Sequence, residues 1–124
     1  MPPDGCPLNE LVRSRYVYDE QQVAEALDQT VYLVREDESI ATGPQFESYN
    51  KDQQITALLL GQMAAYTHSY AETPGVEKKW LDEHIDGAVG THPSTLSFVV
   101  SDSQEGGFYI PRFNIEEAIA FLEA

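Results

Sequence analysis

The side chains in this sequence that could carry out chemistry are few and scattered. Three histidines, His68, His84 and His92, fall at no zinc-ligand spacing, and Cys6 is the single cysteine. Neither a Cys/His metal centre nor an internal disulfide is therefore expected. The run Asp82-Glu83-His84-Ile85-Asp86 holds ligand types for a weak metal site. On a helix, however, Asp82 and Asp86 share a side while Glu83 points away, so solvated charge beside a partly buried His84 is the expected arrangement. Serine, histidine and aspartate occur without a G-x-S-x-G elbow. No G-x-x-x-x-G-K or G-x-G-x-x-G is present to cradle a phosphate. Glu36-Asp37-Glu38 and Glu116-Glu117 follow from the abundance of acid, and the second pair stands where a helix dipole favours it. Tyr66, Tyr70 and Trp80 recur at helical spacing and are expected in the core, a ligand pocket lined by them being the rarer alternative. No catalytic residue, metal or cofactor is expected, and the chain is not expected to be an enzyme.

Charge is the dominant feature. Twenty-one Asp and Glu face seven Lys and Arg, a net charge of -14 at pH 7, and the lysines are confined to Lys51, Lys78 and Lys79. Such an excess destabilises a compact state by self-repulsion. Salt relieves it, because the Debye length shrinks to about 3 Å at 1 M. An acid-rich, lysine-poor composition resembles the proteins of salt-accumulating halophilic archaea. A solvated face of an ordinary protein and a surface imitating nucleic acid are the other readings. A length of 124 residues fits one domain. Apolar residues at 42% and aromatics at 10% exclude disorder throughout. The apolar stretch Ile55 to Leu60 is too short for a bilayer, and no charged, apolar leader opens the sequence. A cytoplasmic protein with no membrane association is expected.

These residues must be positioned by elements that local chemistry marks out. Leu8, Leu11 and Val12 suggest a short amphipathic turn, and Tyr16-Val17-Tyr18 an extended segment. Asp19 stands as N-cap with Gln22 three residues on, opening a helix from about 20 to 28 with Val23, Ala26 and Leu27 on its apolar edge. Thr30 to Arg35 is β-branched and aromatic, hence a strand. Glu36 to Ser39 turn the chain, and Ile40 to Thr42 return as its partner until Gly43-Pro44. Asn50 with Gln53 caps a long helix over about 51–71, its face marked by Ile55, Leu58, Leu59, Gln62, Met63, Tyr66 and Tyr70. Thr73-Pro74-Gly75 stops it. A second helix over about 76–86 places Val76, Trp80, Leu81, His84 and Ile85 on one side. A last helix has Asn114 as N-cap, Glu117 at N3 and a stripe of Ile115, Ala118, Ile119 and Leu122.

Between the second and last helices lies Val89-Gly90-Thr91-His92-Pro93-Ser94-Thr95-Leu96-Ser97-Phe98-Val99-Val100. Gly90 suits a tight turn and Pro93 the first turn of a following helix, in which Leu96, Val99 and Val100 would bury and Phe98 lie nearer the outside. The V-G-x-x-x-S-T-L-S pattern resembles the helix-turn-helix of winged-helix transcription regulators, with Gly106 to Pro111 as the wing. The resemblance covers about residues 50–124 and implies an α+β, mainly helical fold. Within one domain it sets a winged helix-turn-helix core over about 50–124, preceded by an extension (1–49) of helix and β-hairpin. It implies a small regulator, a homodimer, binding double-stranded DNA. Lys78, Lys79 and Arg112 would contact phosphates, and His92, Ser94, Thr95 and Ser97 would face the groove. Two positions depart from the pattern: Asp86 replaces a small residue before the turn, and the reading helix holds no Arg or Lys, the main donors to phosphate and base. That second departure motivates the alternative, an acidic protein-interaction module engaging a basic protein partner, a nucleic-acid mimic being one form of it. Leu96, Phe98 and Val100 also alternate as in a strand, so a β-hairpin over residues 95–111 is the rival reading to the helix.

Overall fold

The computed structural model describes residues 20–85 and 89–123. Their order is α1 (Glu20–Leu27), β1 (Val31–Val34), β2 (Ser39–Thr42), α2 (Lys51–Thr67), α3 (Lys78–His84), α4 (His92–Thr95), β3 (Val100–Asp102), β4 (Gly107–Tyr109) and α5 (Ile115–Glu123). The architecture is α+β. The features expected around Leu8, Leu11 and Val12, at Tyr16 to Tyr18, at the Asp19 cap and at Asp86 lie outside the described residues.

The spine of the core is α2. Its entry is a capping box: Asn50 Oδ1 accepts the Gln53 N–H at 2.8 Å, and Gln53 Oε1 accepts the Asn50 N–H at 3.1 Å. Two N–H groups that a helix start leaves unpaired are thereby satisfied. Ile55 to Gly61 are buried without a break, because α1, both hairpins, α4 and α5 all pack against this helix. A helix that is apolar all round belongs in an interior. It ends at Thr67 rather than at 71. Ser69 adopts a φ of 63°, its N–H donating to Tyr66 C=O at 3.1 Å while the Tyr70 N–H donates to Ala65 C=O at 2.7 Å. This pair of bonds closes the helix end. Tyr70 keeps the apolar spacing beyond the stop, so periodicity alone overruns it.

In the first hairpin, Val31 faces Thr42 and Val34 faces Ser39 across an antiparallel ladder. At the turn, the Asp37 carboxylate accepts the Ser39 hydroxyl at 2.6 Å and the Ser39 N–H at 3.1 Å. These bonds, the hydroxyl first, hold the Asp37 carboxyl below its ordinary pKa.

The second half departs from the helical expectation in two places. Val76 is not helical: its N–H donates to Phe108 C=O at 2.9 Å and its C=O accepts the Phe108 N–H at 2.8 Å. The helix α3 starts only at Lys78, and Trp80 and His84 are half-buried on it while Leu81 is buried. The second correction concerns residues 93–100. The chain coils for one turn, His92–Thr95, and is extended again at Leu96 (φ −81°, ψ 122°). Then β3 pairs with β4, Val100 opposite Tyr109, Ser101 opposite Phe108 and Asp102 opposite Gly107. The hairpin reading therefore holds beyond the single turn. Inside and outside exchange accordingly: Phe98 is buried and Val100 exposed, while Leu96 is buried as expected.

Gly90 has the positive φ (56°) that its turn was expected to need. Gly107, at φ 123°, lies against Val76, whose carbonyl oxygen a Cβ there would strike. Only glycine permits that approach. Thus β4 runs between Val76 on one side and β3 on the other. In α5 the stripe of Ile115, Ala118, Ile119 and Leu122 is buried. Asn114, expected as its cap, ends a 3-10 turn (Arg112–Asn114). Its side-chain amide donates to Phe98 C=O at 3.1 Å, tying the helix start to the segment after α4.

Candidate functional site

The seven side chains expected to face DNA fall on three separate elements. Lys78 and Lys79 are exposed in the first turn of α3. A helix N-terminus gives no dipole benefit to cations, so local helix stability does not explain their placement. His92, Ser94 and Thr95 share the single turn of α4, and Ser97 follows it; all four are exposed. Arg112 stands past β4, half-buried.

The polar geometry of α4 is set from a distance. His92 Nδ1 lies 2.6 Å from Asp52 Oδ1, a contact between residues 40 positions apart. Asp52 occupies the first turn of α2, where a carboxylate gains from the helix dipole. Both side chains are partly open to solvent, 46% for His92 and 37% for Asp52. The Thr95 hydroxyl donates to the His92 carbonyl at 2.9 Å. Pro93 is buried and anchors the turn, so only one side of a four-residue coil is presented. At 1.5 Å per residue such a coil is about 6 Å long, a small fraction of what a reading helix lays along a major groove.

Arg112 is unlike the other cations. Its Nε is buried without a hydrogen-bond partner, and its guanidinium carbon lies 5.9 Å from the Phe113 ring centroid. That distance is at the outer limit of a cation–π contact. Phe113 is 70% exposed, the most open large apolar side chain among the described residues. Neither Asp52 nor Phe113 was singled out by the sequence reading. The Asp52 contact has no local signal at such a separation. An aromatic beside an arginine in a Pro-Arg-Phe-Asn turn was visible, but its exposure is settled only by where α5 packs.

Asp82 and His84 are engaged in the fold. Asp82 accepts the Val89 N–H at 2.8 Å. His84 bonds through Nδ1 to Trp80 C=O at 2.8 Å and stacks on the Trp80 ring at 4.0 Å. The carbonyl can only accept, so Nδ1 carries the proton there. Tyr70, Trp80 and His84, with Glu38 and Gln62, line a shallow cleft of about 360 Å³. Among the described residues no three His, Cys, Asp or Glu gather as metal ligands, and no helix is long and apolar enough to cross a membrane. No protein-family model, curated protein or solved structure matches the chain.

Proposed function

We propose that this chain is an acidic protein-interaction module on a winged-helix-like scaffold, engaging a basic partner rather than reading duplex DNA. The scaffold reading is supported by element order. A helix (α2), a bridging residue (Val76), a helix (α3), a helical turn (α4) and a hairpin (β3–β4) follow one another, with β4 between Val76 and β3. That sequence of parts is the plan of a winged helix. The observation that carries the functional reading is the state of α4. Where a regulator needs several turns bearing Arg, Asn or Gln, this chain has one turn. The one ionisable side chain of that turn is held by the Asp52 carboxylate. A fixed negative charge there repels phosphate and attracts cations. Co-purification followed by calorimetry with the recovered protein tests the reading. A Lys/Arg-rich protein that binds with salt-sensitive affinity is expected; recovery of nucleic acid with no protein partner overturns it.

A second reading keeps one specific observation: Lys78 and Lys79 are exposed side by side, while the Arg112 Nε is buried without a hydrogen-bond partner. In a dimer these groups, pooled, would contact the phosphates of a duplex. This predicts binding that weakens with salt and drops when Lys78 and Lys79 are replaced by Ala. Fluorescence anisotropy with a duplex showing no binding at low salt ends that reading.

A further inference from the structure

Away from α4, the helix α1 borders two adjoining depressions that share Ala24 and Asp28. One is an apolar trough of about 270 Å³ between α1, β1 and the end of α2, with Val23, Leu27 and Val31 in its floor and Tyr32 on its edge. Tyr32 is 41% exposed, next to the buried Val31 on the same strand. The other is an acidic shelf formed by Gln21, Glu25 and Asp28, and Glu20 stands at the trough itself. Among the described residues, no Lys or Arg lines either depression. The trough is smaller than the roughly 300–1,000 Å³ usual for small-molecule sites. It suits one or two apolar anchors of a longer chain, with the shelf alongside reserved for the groups flanking them.

Resting on the reading of the chain as a module for basic partners, we propose that this trough docks a short amphipathic, Lys/Arg-bearing segment of a protein partner. Apolar side chains of the segment sit on Val23, Leu27 and Val31, the helix-in-groove mode of recognition. Its cations lie against Glu20 and Asp28. Charge complementarity selects this occupant. Acidic segments and phosphate backbones are repelled from the same shelf by carboxylates on a chain of net charge -14.

The test uses the full chain and a 14-residue peptide of Leu and Lys, with Leu at i, i+3, i+4 and i+7. A second peptide has the same composition in scrambled order. Calorimetry is expected to show saturable binding of the patterned peptide, at least tenfold tighter than the scrambled one. The binding should weaken tenfold or more in Ala24→Arg, which sets a long cation at the junction of the two depressions, and in the double variant Glu20→Lys/Asp28→Lys. Ala24, Glu20 and Asp28 are exposed, so circular dichroism should confirm that these variants fold. Equal binding of the two peptides, unchanged binding in the variants, or no binding overturns the assignment. A photo-crosslinking side chain in place of Ala24 identifies the occupant. A cross-link to the peptide supports the proposal, while a cross-link to residues 1–19 or to a second copy of the chain refutes it. A natural basic partner that binds Ala24→Arg as well as the parent removes the trough but leaves the module reading intact. Absence of any basic partner removes both.

Discussion

At the scale of single residues, the contact between His92 and Asp52 separates the two functional readings. The pair is partly solvated, and ion pairs of that kind contribute only about 0–1 kcal/mol to stability. Asp52→Asn keeps an oxygen for the imidazole N–H and removes the charge. Chemical denaturation should place this variant within about 1 kcal/mol of the parent. The functional consequence is larger. If Lys78, Lys79 and Arg112 contact a duplex, deleting a nearby anion raises affinity at low salt, and the gain fades as salt is added. If the chain is a module for basic partners, neither form binds DNA and the variant binds its partner more weakly. Anisotropy with one duplex, run on both proteins, distinguishes the cases. The sequence could not announce this pair. His92 was legible as an exposed polar residue near a turn, but its partner arrives from 40 positions away through the packing of α4 on α2.

Among the elements, those closed by local chemistry were legible and those closed by remote backbone were not. The capping box of α2 is written in Asn50 and Gln53 themselves, and the β1–β2 hairpin in its β-branched run and polar turn. Residues 92–102 obey two periodicities at once. Pro93-Ser94-Thr95 starts a helix, whereas Leu96, Phe98 and Val100 alternate as in a strand. The outcome is decided by β4, which pairs with both β3 and Val76; the hairpin was one of two readings of the segment, whereas the Val76 pairing has no local signal. Even so, the alternation misled in part, since Val100 is exposed. Two substitutions measure this difference. Asn50→Ala removes a local cap and should cost about 1 kcal/mol, seen as a modest fall in denaturation midpoint. Gly107→Ala combines a positive φ with a collision against Val76. A cost of about 3 kcal/mol or more is expected, with loss of amide-exchange protection at Val76 and Phe108 before the protection of α2 is affected. If the two variants prove equally mild, the approach of Val76 to β4 is not what orders this half of the molecule.

For the molecule as a whole, composition and core make opposed demands. The interior is ordinary: a central helix buried through Ile55–Gly61, covered by hairpins and helices. The charge is not ordinary, at -14 in 124 residues. Carboxylates spread over so small a body lie within a Debye length of one another at 0.1 M salt, where that length is about 10 Å, and are largely screened from each other at 1 M, where it is about 3 Å. The unfolded chain is more expanded and suffers the repulsion less, so screening favours the folded form. We propose on this ground that the chain is adapted to concentrated salt. Its Tm should rise as KCl is raised from 0.05 M to 2 M. The rise should reach at least about 4 °C, the shift that 1 kcal/mol produces in a domain of roughly this size, with most of it complete by about 1 M. Calorimetric scans in KCl and in an uncharged osmolyte separate screening from general exclusion of solute. A Tm that stays flat in KCl identifies the acid as a well-solvated face and removes the case for adaptation. The docking proposal makes the opposite demand on salt, since affinity for a cationic segment must fall as the fold is strengthened. A partner suited to concentrated salt therefore has to hold on chiefly through its apolar anchors in the α1 trough, and replacing those anchors should cost more affinity at 2 M KCl than replacing its cations.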